Sequence, residues 1–337
     1  MEVSDLGEQI LALNELSASL LVIIAAILLE LVISRVPGIA RWRLHTILQA
    51  PCQAIERKLN RQKRSDKTRL VRGLLAALVL ILPALVLGTI ATMGFVSSHP
   101  IIAGLGVTII LAFSLRLGLS IALAGALHKA IRAGNRDTAN RLIRRYGRGD
   151  PAALDDHGLV RMAIQMQCRG WDRGLLAPIF WFLIFGLPGL FILLVIQAAD
   201  EVVGRADHRL EAFGMVITRL DTILHLPASR LAGLLLIAGL AILRPGKIGA
   251  AFAAISQAAR ADFATNGRWV WGPVAGALDF ALAGPVKGEK DRPWIGSGTA
   301  KLEPEAIIRS RLPLMTGGIL LLLVLVLCFA AALAAGV

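Results

Sequence analysis

Residues 73–96 and 313–337 are apolar almost throughout, and each run exceeds the ~20 residues a helix needs to cross a bilayer core. A water-soluble fold would have to bury both runs on every face. Further apolar runs cover 19–34, 101–126, 175–199 and 228–243. Pro83 and Gly88 interrupt the second run, which membrane helices tolerate. The fourth run carries Gly-Leu-Pro-Gly at 186–189, a place where it can fold back as a re-entrant hairpin. The composition agrees: 56% hydrophobic, 18% charged, mean hydropathy +0.68. We therefore expect an all-α, polytopic integral membrane protein, with amphipathic cytoplasmic helices and loops, forming one domain over 1–337.

The net charge of +13 does not indicate nucleic acid in such a chain. The basic residues avoid the apolar runs and gather between them, as cytoplasmic loops beside anionic lipid do. Segment 35–72 has 11 Lys/Arg and 2 acids, segment 128–174 has 10 and 5, and segment 244–312 has 10 and 6. All three read as cytoplasmic. The first Lys or Arg is Arg35, so the acidic N-terminus reads as an uncleaved periplasmic start. A cell inner-membrane location follows from the same reading. Segment 200–227 has three Arg and five acids. Charge alone would put it outside, whereas a re-entrant fourth run would return it to the cytoplasm.

Glu30 and Arg116 lie within apolar runs, where an ionisable group is costly and faces protein or water. They are the sole motive for reading the chain as a transporter, and no internal repeat supports that reading. The three cysteines have no zinc or redox spacing, and the six histidines form no metal motif. Neither a P-loop nor G-x-G-x-x-G occurs.

Three polar segments hold the candidate chemistry. In 128–174, Asp155 has the position of a helix N-cap before Val160, Ala163 and Ile164. In 200–231, Asp200, Arg219 and Asp221 stand just outside apolar segments; carboxylates there suit Mg²⁺ with phosphate or a general base toward an amine, or simple interfacial ion pairing. In 262–300, Trp269, Trp271 and Trp294 alternate with Gly and Pro, which suits flat or anionic ligands or an interfacial Trp belt.

In order along the chain, these pieces resemble the CbiB/CobD membrane proteins of cobalamin biosynthesis. His45 and Glu56-Arg-Lys-Leu-Asn60-Arg61 come first. Then follow Gly134, Gly147-Arg148, Asp150, Leu154-Asp155 and Ala177-Pro178-Ile-Phe180. Asp200 with Gly204, Phe213-Gly214, Arg219-Leu-Asp221 and Pro227-Ala-x-Arg230-Leu231 continue the series. Asn266, Ala275-Gly-Ala-Leu278 and Arg292-Pro-Trp-Ile-Gly296 complete it. The resemblance covers roughly 35–310.

The resemblance implies an amide-forming step that joins adenosylcobyric acid to aminopropanol or its phosphate, giving adenosylcobinamide or its phosphate. It implies ATP and Mg²⁺, a corrinoid as substrate or ligand, membrane lipid, and a corrinoid-pathway protein as partner. It assigns Asp200 and Asp221 as catalytic residues and Mg²⁺ ligands, and Arg219, Arg230, Asn266, Arg292 and Trp294 as substrate contacts. The sequence also departs from the family pattern. Acidic or amide positions become Gln165, Arg169, Gly170, Arg173 and Trp271, and Gln197, Thr222 and His225 replace other polar residues. The alternative is a catalytically altered paralogue, a corrinoid-binding, regulatory or partner subunit comparable to AmpE, a distant relative of the family.

Overall fold

The computed structural model describes residues 15–36, 38, 42–146, 150–204, 208–260, 266–285 and 293–335. The helices are α1 (Glu15–Ile33), α2 (Leu44–Leu59), α3 (Asp66–Val96), α4 (Pro100–Ser114), α5 (Leu117–Arg132), α6 (Arg136–Tyr146) and α7 (Asp156–Trp171). A π-helical turn, Asp172–Leu176, leads into α8 (Ala177–Val203). After it come α9 (His208–Leu243), α10 (Ile248–Arg260), α11 (Arg268–Leu278), α12 (Glu305–Arg309) and α13 (Arg311–Ala335). The sole sheet among the described residues pairs β1 (Leu282–Ala283) with β2 (Trp294–Ile295), antiparallel. The fold is all-α, and six helical stretches are long and apolar enough to cross a membrane. The protein is a multi-pass membrane protein.

The chain divides into two compact units. The first comprises Met1–Arg116, Ala177–Leu224 and Leu322–Val337. Its core is a seam between α3 and the second half of α8. Small residues make the seam: Ala76, Ala77 and Ala84 face Ala198 and Ala199, with Val195, Ile196 and Phe213 filling in. A Cβ at Gly88 would stand 2.6 Å from the Pro188 backbone, so only glycine admits this approach. Close backbone contact of this kind replaces the hydrophobic drive that lipid removes. The other face of α3 carries Leu74, Leu78, Leu82, Val86, Ile90 and Met93, all exposed. In water that stripe would be a docking or aggregation surface, and in a bilayer it is the lipid face.

α8 is not straight. Gly186 adopts φ 60°, ψ −146°, outside the helical region. A side-chain carbon added at Gly189 would stand 2.7 Å from the Trp181 carbonyl oxygen. In a straight helix residues eight apart are about 12 Å apart, so the chain bends sharply here. Beyond the bend, α8 runs antiparallel to α3. It delivers residues 200–204 to the end of this unit where the basic segment 57–72 lies, and 208–213 at the start of α9 lie there too. Asn60 Nδ2 donates to the Arg209 carbonyl at 3.0 Å, and Arg69 also donates to it.

The ionisable residues inside the apolar runs are structural. Arg43 is fully buried and donates to the Ala112 and Leu115 carbonyls at 2.9 and 2.8 Å, which closes the C-terminus of α4. Its other amine meets Glu30 Oε1 at 3.2 Å and Ser34 Oγ at 2.5 Å, while Ser34 donates to Glu30 at 2.7 Å. Burial pushes the Arg43 guanidinium below its usual range, and Glu30 opposes that shift. Arg116 breaks the run 101–126 into α4 and α5, and donates to Glu201 Oε1 and Gln197 Oε1 at 3.3 and 3.1 Å. His45 Nε2 and Gln49 Nε2 approach the other oxygen of Glu201 at 2.8 and 3.1 Å.

The second unit comprises Leu117–Leu176 and His225–Leu321. α5 packs on α7, and α10 on α11. Gln167 donates to the Ile307 carbonyl and Ser310 Oγ, Trp171 Nε1 to the Ala232 carbonyl, and Arg311 to the Ile121 carbonyl. Asp155 is the N-cap of α7: its carboxylate accepts from Gly158 N at 2.6 Å. α9 is the largest departure from the apolar runs. It extends 20 residues ahead of residue 228 as one helix with the run 228–243, because Arg219, Asp221, His225 and Pro227 hide its N-terminal half from a hydropathy reading.

Removing Arg43 leaves Glu30 buried without its cation, a change that costs about 3–5 kcal/mol in comparable pairs. Arg43→Ala should therefore lower the thermal midpoint of the detergent-solubilised protein sharply. The double change Glu30→Gln with Arg43→Met should recover part of the loss. An unchanged midpoint in Arg43→Ala would refute the assignment of this pair as a structural tie.

Candidate functional site

Asp200 occupies the last turn of α8, where the seam with α3 ends, and is almost wholly buried. A hydroxyl on α9 meets it: Thr218 Oγ1 donates to Asp200 Oδ1 at 3.0 Å. Asp221 follows Thr218 by three residues and is 4% exposed. Positions three apart share a helix face. The unit thus brings Asp200, Thr218 and Asp221 to facing surfaces of α8 and α9, at the same end as the basic segment 57–72.

Arg219 does not join them. It is exposed, on the stripe of α9 that carries Met215, Ile223 and Leu226. Residues two apart on a helix do not face each other. Asn60, from the Glu56–Arg61 motif, holds architecture: it bonds Glu56 Oε1 at 2.9 Å and the Arg209 carbonyl at the start of α9.

The second unit holds Arg230, Asn266 and Trp294. Arg230 and Asn266 meet at Trp269. The Arg230 guanidinium lies 5.5 Å from the Trp269 ring centroid, a cation–π contact. The Asn266 carbonyl accepts from Trp269 N at 3.1 Å. Trp269 Nε1 is buried and has no acceptor among the described residues. Such a donor costs about 1–3 kcal/mol unless something accepts from it, so this corner is shaped for a ligand acceptor or a bound water. Ser229, on the same turn as Arg230, donates to Asp172 Oδ2 at 2.7 Å in the π-helical turn. π-turns recur at functional sites, and Arg173, one of the departures from the family pattern, sits in this one.

Trp294 is in β2, half-buried. Arg161, from α7, lies over its ring at 5.2 Å. Both line an open cavity of about 420 Å³ together with Asp155, His157, Pro285 and Lys301. Sequence reasoning missed Arg161, His157 and Lys301. His157 and Arg161 are one turn apart on α7, but Lys301 lies some 140 residues later, and no local motif ties the three together. Arg292 lies outside the described residues.

Among the described residues, no group of three His, Cys, Asp or Glu could hold a metal. The Asp200–Thr218–Asp221 set is oxygen-only, the chemistry Mg²⁺ takes. Mg²⁺ binds through one or two carboxylates when phosphates and waters complete its shell. The donors present fit a metal that arrives with phosphate, and they do not form a cage of their own.

The family model described as CobD/Cbib protein matches residues 23–315. A cobalamin biosynthesis protein CobD from Sinorhizobium sp is 32% identical over 290 residues, covering 80% of this chain and 84% of that protein. The protein of the same name from Rhizobium meliloti (strain 1021) is 30% identical over 280 residues, 79% of this chain and 82% of its own. A third, from Brucella anthropi, is 31% identical over 234 residues, 68% of this chain and 70% of its own. No solved structure matches.

Thr218→Val keeps the side-chain shape and removes the donor to Asp200. A hydrogen bond to a charged group contributes about 1.5–3 kcal/mol, so this variant should unfold at lower denaturant, while Thr218→Ser should behave as the parent. Identical midpoints for Val and Thr would mean that the hydroxyl does not hold the carboxylate.

Proposed function

This chain belongs to the CobD/CbiB family, and we propose from that premise that it acts in cobalamin biosynthesis, joining aminopropanol or its phosphate to adenosylcobyric acid as an amide. The observation that carries the proposal is the family match over 23–315. The buried pair Asp200 and Asp221, at the end of the α3–α8 seam, supports it. Amide formation needs the carboxyl carbon activated and the amine deprotonated. A buried carboxylate is suited to accept the amine proton as the C–N bond forms. ATP would supply the activating phosphoryl group, and Mg²⁺ held through one carboxylate of the pair Asp200 and Asp221 would neutralise charge on the departing phosphate, leaving the other as the base. Arg230 and Asn266, with the unsatisfied Trp269 indole between them, would take polar groups of the corrinoid. A membrane lipid environment and a corrinoid-pathway protein complete the expected partners.

The test is complementation. The chain is expressed in a bacterium lacking its own family member and fed cobyric acid and aminopropanol, and cobinamide is sought by mass spectrometry. Product above the empty-vector level, lost in Asp200→Ala and Asp221→Ala, is the expected result. Full activity in both variants would overturn the residue assignment. A second reading is favoured by one observation: Trp271 stands where the family pattern has Glu, and its indole is buried against Gly267. A scaffold altered there would be a regulatory or corrinoid-binding subunit. It would give no amide product while the protein is present in the membrane.

We place the chain in the cell inner membrane, with its N-terminus periplasmic and its basic loops cytoplasmic. The turn 97–99 and segment 60–65 lie at opposite ends of α3. In a background with exposed Cys328 replaced by Ala, an impermeant thiol reagent should label Ser98→Cys in intact spheroplasts. Arg64→Cys should label only after permeabilisation. Cys52 is buried, which pushes its thiol up to about 12 and keeps it silent. The reverse labelling pattern would invert the topology.

A further inference from the structure

The cavity beside Trp294 has the makings of an anion site, and nothing in the amide chemistry above uses it. Trp294 itself is no open stacking platform. Arg161 covers it at 5.2 Å, and a Cβ at Gly284 would run into the ring. The ring is a wall that fixes Arg161.

Arg161 is 8% exposed and tied at two points. One amine donates to the Ala300 carbonyl at 2.5 Å, and the other to Asp155 Oδ1 at 3.3 Å. A guanidinium has five N–H donors, so three remain without an acceptor among the described residues. This cation is desolvated, oriented and only partly satisfied. Lys301, on the rim, is exposed and makes no ion pair with any described residue, and its ammonium is a second positive charge. His157 adds a third group. Its Nδ1 donates to the Leu302 carbonyl at 3.0 Å, which leaves Nε2 as an acceptor that can meet a P–OH or ammonium hydrogen of a ligand and cannot donate to a phosphate oxygen. The first turn of α7 borders the cavity and contributes the positive end of its dipole. Asp155 is the one acid among the described lining residues, and its Oδ1 is already engaged by Gly158 N and Arg161.

We propose that this cavity binds a small phosphomonoester, its phosphate held by Arg161 and Lys301. A planar guanidinium with spare donors matches phosphate oxygens, and a flexible ammonium completes the charge. At about 420 Å³ the space exceeds a bare phosphate and leaves room for a short organic tail. That the tail carries an amine rests on the amide chemistry proposed above; the phosphate assignment does not.

The experiment uses the full chain in phosphatidylcholine nanodiscs and titrates O-phosphoethanolamine by calorimetry, with ethanolamine as the phosphate-free comparison. Saturable binding of the ester alone is expected. Lys301→Ala should weaken it by about tenfold or more, the effect of one charge-assisted hydrogen bond. Arg161→Gln should abolish it, and Lys58→Ala, an equal loss of charge on α2, should leave it unchanged. Lys301 is exposed and ties nothing together, so its variant remains informative if Arg161→Gln does not fold. No binding, or binding indifferent to Lys301→Ala, overturns the proposal. Loss of ester binding in nanodiscs containing phosphatidylglycerol would assign the cavity to a lipid headgroup and also overturn it. No product is measured, so a chain that binds the ester but forms no amide would refute the amide reading alone.

Discussion

A fully buried guanidinium organises the first unit. Arg43 stands between the end of α1 and the end of α4, and every element it touches offers an oxygen: Glu30, Ser34, Ala112 and Leu115. Two of those oxygens are helix C-terminal carbonyls, which have no partner of their own and attract a cation. The arrangement explains how α4 can stop after Ser114 in so apolar a stretch. It also places Arg116 where it reaches Glu201 and Gln197 on α8, with His45 and Gln49 of α2 completing the same carboxylate. Charges that would be prohibitive alone in lipid are tolerable because each is bonded to protein. Glu30 and Arg116 thereby lose their value as evidence for a transport pathway, since both are spent on holding helices together.

The architecture was legible in the sequence wherever a helix is apolar on most faces. The run 73–96 lies in α3, and the run 313–337 lies in α13 as far as Ala335, the last described residue. Asp155 was legible as a cap because its signal is local, an Asp immediately ahead of an apolar period. Legibility failed where polar residues serve packing. The first half of α9 has Arg219, Asp221, His225 and Pro227 in a row of turns, and hydropathy cannot see a helix through them. The run 101–126 hid a break although Arg116 marks the place, because a charged residue in an apolar run does not by itself say that the helix stops there. The break depends on Arg43, some 70 residues earlier.

The candidate site divides along the same line. Asp200 and Asp221 were named together from the order of motifs, and the structure brings both, buried, to facing surfaces of α8 and α9. Thr218 was not singled out, although its position three residues before Asp221 is the kind of spacing that puts two side chains on one face. Arg219 sat between them in sequence and was grouped with them. Helical geometry puts it on the exposed stripe instead. Arg161, His157 and Lys301 could not be seen, because positions 157–161 and 294–301 meet only in the folded unit.

The motifs on which the family resemblance rests are largely motifs of close packing. Residues 275–278 are buried throughout, and a Cβ at Gly276 would strike the Ala250 backbone. Gly296 presses on Ala275 and the Phe280 carbonyl, so two separate motifs are halves of one contact. Ala228 and Ser229 are wholly buried, with Ser229 bonded to the π-helical turn. Packing of this density admits few alternatives. Such segments hold their identity when the chemistry around them changes, and they certify the scaffold more strongly than the reaction. The residues that would decide the reaction lie in the polar stretch 165–173, where the family pattern has acids and this chain has Gln165, Arg169 and Arg173. A site that has exchanged carboxylates for guanidinium groups is better suited to holding an anionic substrate than to gathering Mg²⁺ on its own account. That shift is in keeping with a metal brought in with phosphate, and with Arg161 and Lys301 as cations still available to meet one.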